Sequence, residues 1–167
     1  MKRMTRAAAV ATTLTAALSM TGPAWASDTS TSQLAGCSGV ANAWRDGDVF
    51  AFNQVSCGGT MLGHSPGNDS DWNASGGGFV SAANRAVSVL NDGGADDSGV
   101  TVVAFYDKIN YDHVYGYRCM QRGDWVNDLS GLVYHRNDGL TPARMSGTIS
   151  SHQWVTAGAC HKNSWMG

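Results

Sequence analysis

Glutamate is absent from the 167-residue sequence, so its thirteen acidic residues are all aspartates. Leucine is sparse after residue 26, and lysine occurs there only as Lys108 and Lys162. Because glutamate, leucine and lysine are strong helix formers, their scarcity argues against a helical protein. Glycine, with 21 residues, and asparagine, threonine, valine and aromatic residues take their place, as is typical of short strands joined by tight turns. The composition predicts an all-β fold.

A hydrophobic run long enough for a membrane span is also missing. The longest candidate, residues 7–20, is too short to cross a bilayer. It follows a basic start and precedes the sequence Ala-Trp-Ala at positions 24–26, which is a cleavage signal for export. We predict a secretory signal peptide over residues 1–26, a flexible segment over 27–36, and a secreted protein with no membrane partner.

Basic clusters and phosphate-binding motifs are lacking as well. Residues 27–167 contain eight basic and thirteen acidic residues, a formal net charge of −5. A weakly acidic chain does not carry the positive surface of a nucleic-acid binder. Neither a P-loop nor a glycine-rich dinucleotide motif occurs, which argues against nucleotide cofactors. We expect no nucleic-acid partner, no resident cofactor and a monomeric chain.

Four cysteines form an even set in a chain expected to be exported, which predicts two disulfides. Three pairings are possible, and spacing alone does not choose among them. We favour Cys37–Cys57 and Cys119–Cys160, because each crosslink then stays within one half of the chain. A metal site is disfavoured because no C-x-x-C occurs and a lone Cys160-His161 pair is not a ligand set.

An internal repeat with an offset of 53 residues organises the chain. The offset pairs Val49–Phe52 with Val102–Phe105 and Asp71-Trp72 with Asp124-Trp125, together with Gly63 and Gly116. A looser match of Arg85–Val89 with Gly147–Ser151 requires about nine extra residues in the second copy, placed at 134–144. We predict units at about 44–91 and 98–155, a polar linker over 91–99, one domain over 37–160 and a C-terminal tail over 161–167.

Catalytic motifs are weak. Gly63-His64-Ser65-Pro66-Gly67 matches G-x-S-x-G, but no helical pattern follows and Pro66 removes a backbone N–H from the oxyanion-hole position. The missing glutamate excludes H-E-x-x-H, and the aspartates lie in turn sequences such as Asn137-Asp138-Gly139. Histidines are expected at the surface or in local hydrogen bonds. We predict a non-enzymatic protein without catalytic residues.

The strands and turns of both units also carry a family resemblance. Phe105–Tyr111 is similar to Y-x-D-x-N-Y-x-G, with Asp112 in place of the final glycine, and Cys57-Gly58-Gly59 follows Phe52 at a similar distance. These residues resemble the βγ-crystallin-like superfamily. With the expected export and disulfides, the closing sequence Thr148–Trp154 resembles its actinobacterial secreted peptidase-inhibitor family, whose targets include metalloproteases. The resemblance implies a double Greek-key sandwich.

The same superfamily implies a possible calcium site with the signature N/D-N/D-x-x-S/T-S. Asn84 and Ser88 match two positions in the first copy, and Ser150 matches in the second. Arg85 replaces an acidic or amide residue, and a cation beside a Ca²⁺ site is repelled. No carboxylate lies in either signature, whereas Ca²⁺ prefers such ligands, so we expect weak or absent binding.

The functional expectation is inhibition of an extracellular peptidase by a rigid loop that occupies its active site. Two exposed segments are candidates, the linker 91–99 and the inserted segment 134–144, and the second carries Arg136, Asn137, Asp138 and Arg144. The alternative is a binding module for cell-wall polysaccharide. Trp72 and Trp125 are expected in the core because they are repeat-related, which leaves Trp44 and Trp165 as candidates for exposure and for stacking on sugars.

Overall fold

Strands form where valine and aromatic residues concentrate, as the composition predicts. The computed structural model describes residues 36–44, 47–94 and 97–166, which belong to one compact unit of the chain, Thr31–Gly167. The described elements are helix α1 (Gly36–Trp44) and strands β1 (Val49–Phe52), β2 (Met61–Ser65), β3 (Ser88–Asn91), β4 (Val100–Tyr106), β5 (Tyr117–Met120), β6 (Trp125–Val126) and β7 (Ser151–Thr156). The expected signal peptide 1–26 and the flexible segment up to residue 35 lie outside the described residues.

The strands make two antiparallel sheets. One has the order β2-β1-β3-β6 and the other the order β5-β4-β7. Strand β6 comes from the second half of the chain but pairs with β3, where Val89 lies opposite Val126. A bridge between Asp69 and His152 makes the converse connection, from the first half to β7. Side chains of both sheets, including Ala51 of β1 and Phe105 of β4, meet in one buried cluster. The strand-rich fold is therefore confirmed.

Helix α1 is an addition that the composition did not indicate. Its sequence contains two glycines and few strong helix formers, so its intrinsic propensity is low. Tertiary contacts supply the stability instead, because Val40 is buried against Phe50 and Leu90, and Cys37 is bonded to Cys57. The second disulfide is Cys119–Cys160, so both bonds follow the pairing that we favoured from the sequence.

The turns that follow β1 and β4 have the same construction. Each is a single 3₁₀ turn, Val55–Cys57 and Ile109–Tyr111, whose last two residues have positive φ, 53° at Cys57 and 60° at Tyr111. Such backbone is costly for bulky residues and persists where surrounding contacts fix it. Ser88 supplies those contacts in the first turn and Ser151 in the second.

These two serines bond their turns in equivalent ways. The Ser88 hydroxyl accepts from the Cys57 N–H at 2.9 Å and donates to the Gln54 carbonyl at 2.7 Å. The Ser151 hydroxyl accepts from the Tyr111 N–H at 3.2 Å and donates to a carbonyl in the same turn at 2.6 Å. Ser88 thus corresponds to Ser151, whereas the looser sequence match paired it with Ser150. The sequence match was one residue out of register.

Replacing Ser88 or Ser151 with alanine is expected to cost about 2 kcal/mol of unfolding free energy each, because two buried hydrogen bonds are lost and a strained turn is released. Urea unfolding of each variant measures the effect. Ser75 is exposed, and Ser75→Ala should leave the unfolding free energy within about 0.5 kcal/mol of the wild type. Losses at Ser88 and Ser151 no larger than at Ser75 would contradict this assignment.

The repeat-related glycines Gly63 and Gly116 permit close backbone approach. A Cβ at Gly116 would lie 2.3 Å from the His135 carbonyl oxygen, and one at Gly63 would lie 2.5 Å from the Gly78 oxygen. Gly116 also has φ of +95°, where side chains are strained. The fold therefore explains why glycine occupies both positions.

The C-terminal segment packs along β5, although no partner for it could be identified from the sequence. Backbone hydrogen bonds run from the Cys119 N–H to the Ser164 oxygen and from the Met166 N–H to the Cys119 oxygen. The Arg118 guanidinium donates to the carbonyls of Asn163 and Trp165 at 3.1 and 2.9 Å. Residues 161–166 therefore extend the folded unit beyond Cys160, where the sequence analysis had ended it.

Candidate functional site

The inserted segment forms a loop with a closed base. Val133 and Arg144 form an antiparallel bridge, and the Tyr134 N–H donates to the Ala143 oxygen at 2.9 Å. The Tyr134 ring is buried, and its hydroxyl accepts a hydrogen bond from Thr148 at 3.2 Å. Burial raises the pKa of Tyr134 above its ordinary value. Both ends of the loop are therefore fixed to the core, which restricts the position of the tip.

Internal contacts order the tip of this loop. Arg136 and Asp138 form an ion pair, with Nε donating to Oδ1 at 2.9 Å and Nη2 bonding to Oδ2. These hydrogen bonds lower the pKa of Asp138 to about 2. Asp138 Oδ1 also accepts from the Leu140 N–H at 3.1 Å, which makes a turn around Gly139. The Leu140 side chain is left 62% exposed, the largest exposure among the described large apolar residues.

The four residues named from the sequence divide between the tip and the base. Arg136, Asn137 and Asp138 lie in the tip, where Asn137 Oδ1 is 2.9 Å from His135 Nε2. Arg144 lies at the base, and its guanidinium donates to the Ser130 carbonyl at 3.0 Å. Leu140 was not singled out by the sequence analysis. The available signal was one large apolar residue within a polar, glycine- and proline-containing segment.

The other exposed candidate, the linker 91–99, begins inside the core. Asn91 belongs to β3 and is fully buried, and its amide donates to the carbonyls of Thr101 and Met120 at 3.1 Å each. Asn91 therefore ties the first sheet to the second. The prediction that the polar linker starts at this residue is wrong, because Asn91 belongs to β3 and its amide is buried with its hydrogen bonds satisfied. Residues 95–96 of the linker lie outside the described residues.

The candidate calcium ligands do not converge. Asn84 and Ser150 lie together, with Ser150 Oγ donating to Asn84 Oδ1 at 3.3 Å. The Ser88 hydroxyl is instead hydrogen-bonded to the turn that follows β1. Among the described residues, no group of three or more histidine, cysteine or acidic side chains could hold a metal ion. Two neutral oxygens at this distance are a local hydrogen bond and supply too few ligands for Ca²⁺.

Histidine is not confined to the surface. His64 is exposed, with Nδ1 2.5 Å from the buried Asp48 carboxylate, in agreement with the expectation. His152 is fully buried, which contradicts it: Nδ1 accepts from the Trp72 indole at 2.9 Å and Nε2 lies 2.8 Å from the Gly67 oxygen. Both ring nitrogens are bonded when the imidazole is neutral with the proton on Nε2, so burial costs little.

The buried His152 predicts a pH-dependent stability. Burial is the main cause that lowers the pKa of His152 to about 4, below the value of about 6.5 in an unfolded chain. The unfolded state therefore binds more protons between these values, so the unfolding free energy should be fully retained above pH 6.5 and fall by about 3 kcal/mol towards pH 4. Urea unfolding across this range measures the slope. The pH dependence of the unfolding free energy should vanish in His152→Gln and persist in His113→Gln. A pH dependence that His152→Gln leaves unchanged would contradict the assignment to His152.

The tryptophans that the structure describes differ in exposure. Trp72 is fully buried and stacks on Phe79 at 4.1 Å, as expected for the core. Trp125 is 41% exposed, so the expectation of a second core tryptophan is wrong, because β6 lies at a sheet edge. Trp165 is partly buried beside Cys119, and the side chain of Trp44 lies outside the described residues.

No protein-family model matches the chain, and no curated protein matches it. Within the described residues no helix is both long and apolar enough to pass through a bilayer. The two disulfides indicate an oxidising, extracellular environment.

Proposed function

We propose that this protein is a secreted inhibitor of an extracellular peptidase, and that the tip of the loop 134–144 occupies the active-site cleft of its target. The observation that carries the proposal is an exposed Leu140 on a tip that is ordered by Arg136 and Asp138 and closed at its base. A loop held in one conformation loses little entropy on binding, which is the main cost that a cleft-binding segment must meet.

The strand pairing supports the resemblance to the βγ-crystallin-like superfamily, on which the proposed inhibitory function depends. In each half, one strand or bridge pairs with the sheet of the other half, β6 with β3 and Asp69 with His152. The equivalent turns held by Ser88 and Ser151 add a second correspondence. With the isolated Asp69 bridge counted beside the three strands of the second sheet, each half contributes one segment to the sheet of the other, and this exchange supports the proposed Greek-key sandwich. The family resemblance then favours inhibition over catalysis.

The charge of the chain bears on the choice of partner. The segment expected after signal removal carries a net charge of −5, which favours approach to a basic enzyme over an acidic one. At the tip itself the charges of Arg136 and Asp138 cancel, and the Leu140 side chain is exposed. We infer that long-range charge sets the association rate and that the apolar side chain enters a peptidase pocket.

Replacing residues 136–142 with a glycine-serine linker of equal length tests this function. The buried Tyr134 and the bridge at Arg144 are retained, so the core should stay folded, whereas inhibition of the target peptidase should be lost. Residual peptidase activity is measured against increasing inhibitor, and circular dichroism checks the fold. Inhibition that survives the replacement would show that the loop is not the reactive segment.

A further inference from the structure

A groove on the outer face of the second sheet extends from the centre of that sheet to the loop 134–144. Two adjoining cavities, of about 410 and 250 Å³, share His113 and Tyr117 in their walls. The smaller cavity is also lined by Tyr106 of β4 and Gln153 of β7. The larger one continues to the loop residues His135, Arg136, Asn137 and Asp138. We call the two cavities together the tyrosine groove, and the larger one alone falls within the range of about 300–1,000 Å³ that is usual for small-molecule sites.

Aromatic rings form the walls of the tyrosine groove. The Tyr106 and Tyr117 rings are 6.1 Å apart, and Tyr111 lies 6.0 Å from Tyr106 on its other side. His135 stacks on His161 at 4.6 Å beside the larger cavity. Tyrosine presents an apolar face together with a polar end. Such rings can cover the C–H face of a sugar while hydroxyl groups remain available for hydrogen bonds.

Polar groups in the groove are left without protein partners. The Tyr106 hydroxyl and the Gln153 amide make no hydrogen bond to any of the described residues. The Tyr117 hydroxyl accepts from the His161 N–H at 3.0 Å, which leaves its own proton free to donate. Burial raises the pKa of Tyr106, so its hydroxyl stays protonated at neutral pH. Donors and acceptors are thus both present, as a ligand rich in hydroxyl groups requires.

The groove carries no uncompensated formal charge among its described lining residues. Arg136 is paired with Asp138 in the wall of the larger cavity. The nearby Lys108 is paired with Asp107 at 3.1 Å and lies over the Tyr115 ring. A charged ligand would need a free charge of opposite sign, and a purely apolar one would leave the amide and hydroxyls unbonded. A neutral, hydroxyl-rich ligand satisfies both conditions.

We propose that the tyrosine groove binds a neutral oligosaccharide, which packs against the partly exposed ring of Tyr117. The Tyr106 hydroxyl, Gln153 and His113 hydrogen-bond this ligand. The larger cavity shares Arg136, Asn137 and Asp138 with the proposed inhibitory loop, whereas Gln153 and His113 lie outside that loop. Variants of Gln153 and His113 therefore test the groove separately from inhibition. The tyrosine groove also differs from the tryptophan platform considered from the sequence. The ligand class is defined by neutral charge, ring-shaped apolar faces and hydroxyl groups.

Isothermal titration of the full secreted chain with chitotetraose, cellotetraose and laminaritetraose tests the proposal. At least one of these neutral probes should show saturable binding in the millimolar range or tighter. Gln153→Ala and His113→Ala should each weaken that binding about tenfold, because each removes a hydrogen-bonding group from the ligand. Tyr106→Phe should weaken it as well, by removing only the hydroxyl.

Matched controls separate the groove from other surfaces. Gln121 is exposed and follows the last residue of β5, whereas Tyr117 is the first residue of that strand. Gln121→Ala should therefore bind the oligosaccharide like the wild type. Trp125→Ala removes an exposed ring on the other sheet and should also bind normally. Absence of binding to all three probes overturns the proposal. So does binding that Gln153→Ala and His113→Ala leave unchanged, binding lost in Trp125→Ala, or binding confined to acidic oligosaccharides such as tetragalacturonate.

Discussion

Inhibition of the target peptidase should fall at least about 100-fold when Leu140 is replaced by aspartate. The side chain is 62% exposed at the tip, and in the proposed complex it is desolvated within an apolar pocket. Placing a carboxylate there without a partner costs several kcal/mol, and 100-fold corresponds to about 2.7 kcal/mol. The free protein loses little, because Leu140 contributes only a backbone N–H to the turn at Asp138. The inhibition constants of the two proteins give the ratio.

Val80→Asp is the matched control for this change. Val80 is 52% exposed and lies outside the loop, so a charge there should leave both inhibition and stability unaltered. Thermal unfolding of Leu140→Asp should resemble that of the wild type, which separates loss of contact from loss of fold. Equal inhibition by the Leu140 and Val80 variants would show that Leu140 does not contact the peptidase.

Removal of the Cys119–Cys160 disulfide, by replacing both residues with serine, is expected to cost about 4 kcal/mol of unfolding free energy. The bond closes a 41-residue loop, and the loss of that constraint increases the entropy of the unfolded chain. The cost is a large fraction of the 5–15 kcal/mol that stabilises a typical domain. Denaturant unfolding of the double variant under non-reducing conditions measures it.

The Cys37–Cys57 bond provides the comparison. It closes a 20-residue loop, so its replacement by serines should cost about 3 kcal/mol, less than the longer crosslink. A larger loss from Cys37–Cys57 than from Cys119–Cys160 would contradict loop entropy as the main source of the stabilisation.

Strands and covalent links could be predicted from local sequence. The apolar segments around Val49–Phe52 and Val100–Tyr106 form β1 and β4 because β-branched and aromatic residues favour strands, and nearly continuous apolar residues suit strands that are buried on both faces. The disulfide pairing follows from the division of the chain into halves. Gly63 and Gly116 mark close backbone approaches that no other residue fits.

Features that depend on distant contacts could not be predicted. Helix α1 forms through burial of Val40 and the bond at Cys37, neither of which its own sequence reveals. Trp125 matches Trp72 in the repeat but lies on an edge strand, where its ring is half-exposed. His152 became a core residue only because Trp72, 80 residues away, supplies a hydrogen bond.

The residues of the candidate site also divide into those that the sequence identified and those that only tertiary contacts reveal. The break in the repeat identified the loop containing Arg136, Asn137 and Asp138, because an insertion between strands must lie at the surface. The exposure of Leu140 depends on a turn in which its N–H bonds to Asp138. The role of Arg144 at the base depends on its hydrogen bond to the Ser130 carbonyl. The tyrosine groove unites residues of β4, β5 and β7 and left no contiguous motif in the sequence.

The most direct test of the inhibitory function is a stoichiometric titration of purified peptidase with the mature protein. A thermolysin-like metalloprotease and a subtilisin-like serine protease are the two targets, and residual activity is plotted against the molar ratio. The proposal predicts that one enzyme loses its activity linearly and reaches a plateau near one to one, with the inhibitor chain intact. Full residual activity in both enzymes at a several-fold molar excess would contradict the inhibitory function.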